Sequence, residues 1–184
     1  MGVCPVSVPV SPLRRAITLR PATEQDEPFL NRLYKVSRVE EFSATGIGEE
    51  YFDLLMRMQY SARKAAYESN YPDARRSIVS ADGTDAGQIW VFSDHTQYRV
   101  IDIVIAGEFQ NQGIGSFLMK DLIAQAKQAG VPLRCSVATN NPGSLRFHQR
   151  LGFQVISGDE AYYQMEFAGE ATAPAIVRAS PLPR

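Results

Sequence analysis

Apolar positions recur along the chain with two periods, and the switches between them lay out an alternation of strands and helices. Ile17-Thr18-Leu19-Arg20 alternates as an edge strand does, and Pro21 stops it. Thr23-Glu24-Gln25-Asp26 is a capping-box pattern that opens a helix with Phe29, Leu30, Leu33 and Tyr34 on one side. A second helical pattern places Phe52, Leu55, Met56, Gln59, Arg63 and Ala66 at steps of three and four, and ends near Asn70-Tyr71-Pro72 because proline disfavours helix in the residue before it. Stretches 77–80 and 87–92 read as strands around Ala81-Asp82-Gly83-Thr84, where Asp-Gly is a hairpin signal.

The stretch 98–105 is the next strand. Val100-Ile101-Asp102-Ile103-Val104-Ile105 is apolar on both faces except for one carboxylate, as in a strand covered on both sides at the centre of a sheet. A helix over about 113–129 follows, with Ile114, Leu118, Leu122 and Ala126 spaced by four, Gly130 just past its end and Pro132 beyond. Residues 133–137 form a short strand, 144–151 a short helix and 162–167 a closing strand. Strand, helix, strand in this order implies a right-handed crossover with 98–105 and 133–137 parallel, within a single α/β unit.

Composition narrows the class. The chain has 184 residues, 45% hydrophobic, enough to bury a core without staples. The ends, 1–16 and 168–184, are rich in Pro, Ala and Ser and read as flexible segments around one domain over 17–167. Nineteen basic and twenty acidic residues leave a net charge of -1, so no global field favours nucleic acid or an anionic membrane. Two cysteines and two histidines give neither a disulfide framework nor a metal-ligand spacing, and reduced cytoplasm is the expected compartment. The N-terminal apolar run is too short and too broken by proline to span a membrane.

The informative segment is Gln110-Asn111-Gln112-Gly113-Ile114-Gly115-Ser116, between a strand and the start of a helix. Glycines let backbone approach a ligand closely, and a helix N-terminus presents unpaired amides beside a positive dipole end, so a pyrophosphate can be held there without a basic patch. No Gly-Lys-Ser/Thr follows, which excludes a P-loop, and the third glycine position of G-x-G-x-x-G falls on Leu118, which excludes the dinucleotide fingerprint. The structural alternative is a tight turn that needs two glycines.

Gln110-x-x-Gly113-x-Gly115 resembles the acetyl-CoA loop of the GNAT superfamily of N-acetyltransferases. Downstream, the run from Asn141-Pro142-Gly143-Ser144 to Leu151-Gly152-Phe153 is similar to that family's Asn-x-x-Ala/Ser segment and its Leu-Gly-Phe ending, and Leu19-Arg20-Pro21-Ala22-Thr23 resembles a typical family start. The resemblance implies a mixed sheet flanked by helices, with a splayed V between strands 98–105 and 133–137. It further implies that the amides of Gln110, Asn111, Gln112, Gly113, Ile114, Gly115 and Ser116 cradle the pyrophosphate. The backbone of Ile103, Val104 and Ile105 would pair with the pantetheine arm, and Asn141, Ser144 and Phe147 would line it. The implied function is acetyl transfer from acetyl-CoA to a small-molecule or peptide amine, without a metal.

The family commonly has Tyr where this chain has His148, and that Tyr is thought to protonate the departing thiolate. His148 could replace it as an imidazolium or orient the thiol, or be a side chain on the helix surface. With a thiol pKa of ~8.5, CoA could also leave unaided. An attacking amine, with a pKa of ~10.4, must lose a proton, and Asp102 in its apolar strand is the candidate base, with an ion pair to Arg99 or Arg134 as the structural alternative. Cys135 reads as core, Trp90 as packing and Glu108 as a solvated loop residue. Glu40, Glu41, Glu49, Glu50 and Asp53 could favour a cationic acceptor, or form a solvated face. The missing Tyr also motivates another class of function, a non-catalytic acyl-CoA-binding regulatory module. A homodimer through the tails or the final strand is the assembly expectation.

Overall fold

The computed structural model describes residues 15–39 and 48–168. Of the flexible ends expected at 1–16 and 168–184, residues 1–14 and 169–184 lie outside the described residues, as do Glu40 and Glu41. The elements run β1 (Ile17–Pro21), α1 (Glu27–Val36), α2 (Glu49–Asn70), β2 (Arg75–Ala81), β3 (Thr84–Ser93), β4 (Tyr98–Ile105), α3 (Ile114–Ala129), β5 (Leu133–Ala138), α4 (Pro142–Arg150), β6 (Phe153–Gly158) and β7 (Tyr162–Phe167). The seven strands follow the order β1-β2-β3-β4-β5-β7-β6, a mixed sheet as expected. The chain divides into two compact units. One takes the described residues up to Ala66 with Arg76–Ile89 and Ile103–Gly115; the other takes Tyr67–Arg75, Trp90–Asp102 and the described residues from Ser116 on.

In the first unit, β1 runs antiparallel to β2 from Ile17↔Ala81 to Pro21↔Ser77. The capping box forms as its sequence predicts: Asp26 accepts from the Thr23 amide at 2.8 Å and the Thr23 hydroxyl at 3.0 Å. Arg20 adds two bonds to the same carboxylate at 2.8 and 2.9 Å, and this guanidinium, with the Thr23 donors, holds the Asp26 carboxyl well below the usual range. The Asp82-Gly83 turn has φ of 50° and 81°, the left-handed pair that a two-residue hairpin needs. Leu30, Tyr60 and Ile78 form a buried cluster against Ala22, Phe29 and Tyr34.

Beside that cluster lies a polar network with no periodic signature in the sequence. Glu27 accepts from Tyr60 at 2.5 Å, Lys64 at 2.7 Å and Arg76 at 3.1 Å, and Arg76 also donates to Tyr60 at 2.8 Å and Gln88 at 3.0 Å. Burial, together with the Glu27 carboxylate, pushes the Tyr60 phenol up to about 12, so it remains a proton donor.

In the second unit, β4 and β5 pair in parallel from Tyr98↔Leu133 to Val100↔Cys135, where the register ends. β5 pairs with β7 from Arg134↔Glu166 to Ala138↔Tyr162. The sequence pattern predicts no strand over β6. It is an edge strand on which only Phe153 is buried, so the alternation that marks a half-buried strand is missing, and a bulge between Val155 and Ser157 interrupts its pairing with β7. Gly130, at φ 68°, ends α3 as its position predicts. Strand β4 departs from expectation, being half-buried along its length with Val100 alone fully buried. A strand whose lateral pairing stops after three positions lacks the full cover that its apolar sequence suggests.

Candidate functional site

The glycine loop is built by the chain immediately after β4. A single turn, Gly107–Phe109, buries the Phe109 ring, with the Phe109 amide bonded to the Ala106 carbonyl at 2.8 Å and the Gln110 amide to Gly107 at 3.1 Å. The chain then takes the left-handed region twice, at Asn111 (φ 57°) and Gly113 (φ 84°), which suits the residue types that tolerate it best. Both glutamine side chains fold back onto the backbone: Gln110 Nε2 donates to the Ile105 carbonyl at 2.8 Å, and Gln112 Nε2 to the Glu108 carbonyl at 2.7 Å. These bonds shape the loop, and sequence spacing alone does not disclose them. The loop leads into α3, sixteen residues with no acidic side chain in the first turn. Its leading amides and dipole end are what an anionic diphosphate requires, and the donors are backbone groups that a near-neutral chain can supply.

A second group gathers around α4. Asn141 is its N-cap, with Oδ1 accepting from the Ser144 amide at 2.9 Å and Pro142 in the first turn. The helix therefore starts two residues earlier than the expected 144. Because Oδ1 caps the helix, a contact from Asn141 to a pantetheine carbonyl would run through Nδ2. Ser144 also gives its carbonyl to His148, whose Nδ1 lies 2.9 Å away.

His148 is not on the helix surface. It is 4% exposed, set edge-on to Phe147 at 5.1 Å and to Phe153 at 5.5 Å between ring centroids. Burial lowers its pKa, and the Ser144 bond offsets this only in part, so the neutral ring is the favoured form. Its Nε2 is buried with no hydrogen-bond partner among the described residues. An imidazolium acid is disfavoured at this position by desolvation.

Asp102 lies on β4, half-buried rather than sealed in. Arg134 donates to Glu166 at 2.8 Å, and Arg99 donates to Ser136 and Gln164, each at 2.7 Å. Cys135 is buried and its thiol is pushed up to about 12 by burial, which removes it as a nucleophile. Trp90 is buried edge-on against Tyr67, ring centroids 5.4 Å apart. Glu108 is exposed in the loop. Glu49 and Glu50 are exposed in the first turn of α2, where carboxylates complement the helix dipole, and Asp53 is ion-paired with Lys35.

Residues 40–153 match the Acetyltransferase (GNAT) family. An uncharacterized N-acetyltransferase, CgeE of Bacillus subtilis, is 26% identical over 68 residues, which span 37% of this chain and 26% of that protein's length. Among solved structures, the PaiA N-acetyltransferase of Thermoplasma acidophilum in complex with coenzyme A has a TM-score of 0.61 at 23% identity, over 82% of this chain and 98% of that one. A GNAT family acetyltransferase from Elizabethkingia anophelis with acetyl-CoA bound gives 0.50 at 20% identity, over 82% and 97%. Arabidopsis thaliana Naa50 in complex with the bisubstrate analogue CoA-Ac-MVNAL gives 0.53 at 14% identity, over 82% and 97%. With more than half of its length matched to the family, on a fold shared with these structures, the chain belongs to the GNAT family of acetyltransferases.

Proposed function

We propose that the chain is an acetyl-CoA-dependent N-acetyltransferase that moves the acetyl group to a primary amine by direct attack on the thioester. The observation that carries this reading is the loop after β4, which takes the left-handed region at Asn111 and Gly113 and delivers backbone donors at the start of a long helix. Relatives of the same fold solved with coenzyme A and with acetyl-CoA support the donor. The bisubstrate analogue bound by Naa50 is the kind of molecule a direct transfer accommodates, and supports an amine acceptor. The domain of this activity is 17–167, working in the cytoplasm.

In this reading, Gln110–Ser116 backbone amides hold the pyrophosphate, Ile103–Ile105 backbone and Asn141 Nδ2 hold the pantetheine arm, and Ser144 and Phe147 line it. The amine nitrogen attacks the acetyl carbonyl carbon, and the negative charge that develops on oxygen is met by a backbone amide near Val104 and Ile105. The Asp102 carboxylate takes the proton lost by the amine, and the C–S bond breaks as the amide forms. CoA leaves as a thiolate, which a pKa of ~8.5 permits without a strong acid. His148, neutral and buried, packs α4 against Phe153 rather than supplying a proton. The same buried His148 favours a second reading, a non-catalytic acyl-CoA-binding module, because no tyrosine acid stands in its place.

Thiol release from acetyl-CoA across a panel of amines separates the two. Release that requires amine and is blocked by Gly115→Trp supports the enzyme. Acetyl-CoA binding without release with any amine supports the module.

A further inference from the structure

Gly87 on β3 leaves no room for a side chain. A Cβ there would overlap the Val104 carbonyl oxygen far inside van der Waals contact, and lie 3.1 Å from both Ile105 Cα and Ile105 Cδ1. Only glycine lets β3 and the end of β4 come this close.

The consequence follows from peptide geometry. The Val104 carbonyl and the Ile105 amide belong to one planar trans unit, so their C=O and N–H point in opposite directions. With the Val104 oxygen turned onto Gly87, the Ile105 N–H is turned away from β3. The next peptide is fixed the same way: the Ala106 amide donates to the Ala86 carbonyl at 2.8 Å, while the Ile105 carbonyl on the opposite side accepts from Gln110 Nε2 at 2.8 Å. Both peptide groups flanking Ile105 are thus pinned, one by a missing side chain on β3 and the other by a side chain of the glycine loop.

We propose that Gly87 and the Gln110 side chain are positioning residues that aim the Ile105 amide at the acyl oxygen of the bound thioester. This rests on the N-acetyltransferase reading and deepens it: the loop that holds the cofactor's phosphates also sets, through one glutamine, the donor that meets the reacting carbonyl. Gln110 leaves the Ile105 carbonyl occupied, so the edge of β4 offers the thioester a donor there rather than a repelling oxygen. A donor misaligned by a fraction of an ångström loses most of its effect on a developing charge while ground-state binding is held elsewhere.

The test is nitrogen-15 NMR of the full chain combined with kinetics. In wild type, the Ile105 amide resonance is expected to move downfield with acetyl-CoA and to move less with free CoA, which has no acyl oxygen. Gly87→Ala is expected to lower kcat by about 30-fold or more while acetyl-CoA affinity changes by no more than about threefold. Gln110→Leu, at an exposed position that should not compromise folding, is expected to lower kcat by about tenfold with the same small change in affinity, and to shrink the acyl-dependent Ile105 shift. A merely structural role would lower stability without separating kcat from affinity. If wild type turns over but Gln110→Leu, or a folded Gly87→Ala, matches it, or if the Ile105 amide ignores the acyl group, this proposal is overturned alone. If wild type neither binds acetyl-CoA nor releases thiol, the N-acetyltransferase reading falls and takes this proposal with it.

Discussion

His148 Nδ1 lies 2.9 Å from the carbonyl oxygen of Ser144, and because a carbonyl carries no proton, the imidazole must present its Nδ1–H there. In the neutral ring this leaves Nε2 as an unprotonated acceptor, buried beside Phe147 and Phe153. His148 is therefore held in a form with no proton to give from its buried Nε2.

A pH dependence follows. Burial lowers the folded-state pKa below the unfolded value of ~6.5, so as pH falls through that value the unfolded chain takes up a proton that the folded chain refuses. Stability is then present above pH ~6.5 and is lost as pH drops toward the folded pKa. In thermal melts between pH 7.5 and 5, wild type should lose Tm more steeply than His148→Phe, and the variant's kcat at pH 7.5 should stay within about threefold. Parallel melting curves, or a kcat loss of about a hundredfold, would return His148 to proton transfer.

Asp102→Asn tests the base directly. We expect kcat at neutral pH to fall by about a hundredfold, in the range of general-base deletions, with acetyl-CoA affinity changed by less than about threefold. An unchanged kcat in a folded variant would assign proton removal elsewhere.

The left-handed backbone at Gly113 makes the loop sensitive to a side chain there. Gly113 has φ 84°, so Gly113→Ala pays backbone strain of roughly 1 kcal/mol or more and should weaken acetyl-CoA binding by at least about tenfold, measured calorimetrically. Ala at Gly130, also at positive φ (68°) but at the far end of α3, should cost comparable stability and leave acetyl-CoA affinity alone.

Cys135 should be inert. Its thiol is buried and its pKa is pushed up to about 12, so an alkylating reagent at pH 8, followed by peptide mass mapping, should modify Cys135 only after denaturation. Rapid modification of the native protein would mean that the strand opens.

How much of this is legible in the sequence depends on the physics of each part. Strong periodicity and punctuation carried the helices: the Thr23–Asp26 capping box, Gly130 after α3 and the Asp82-Gly83 turn all appear where their residues require them. Strand β6 did not announce itself, because an edge strand with one buried residue has no alternation to read. Val100–Ile105 looks sealed on both faces, since composition records apolar side chains and not where lateral pairing stops. In the site, the glycine spacing was legible, whereas the roles of Gln110 and Gly87 were not. Both depend on which backbone oxygen lies opposite, a fact of tertiary approach that no local pattern encodes. The burial of His148 was hidden for the same reason, its neighbour Phe153 being contributed by the next strand.

A calorimetric titration of the full chain tests most directly whether the loop after β4 holds acetyl-CoA. Saturable one-site binding of acetyl-CoA, not reproduced by ATP and weakened by Gly113→Ala, is the predicted result. No heat with acetyl-CoA, together with no thermal stabilisation at saturating concentration, would contradict it and reduce the glycine loop to a turn.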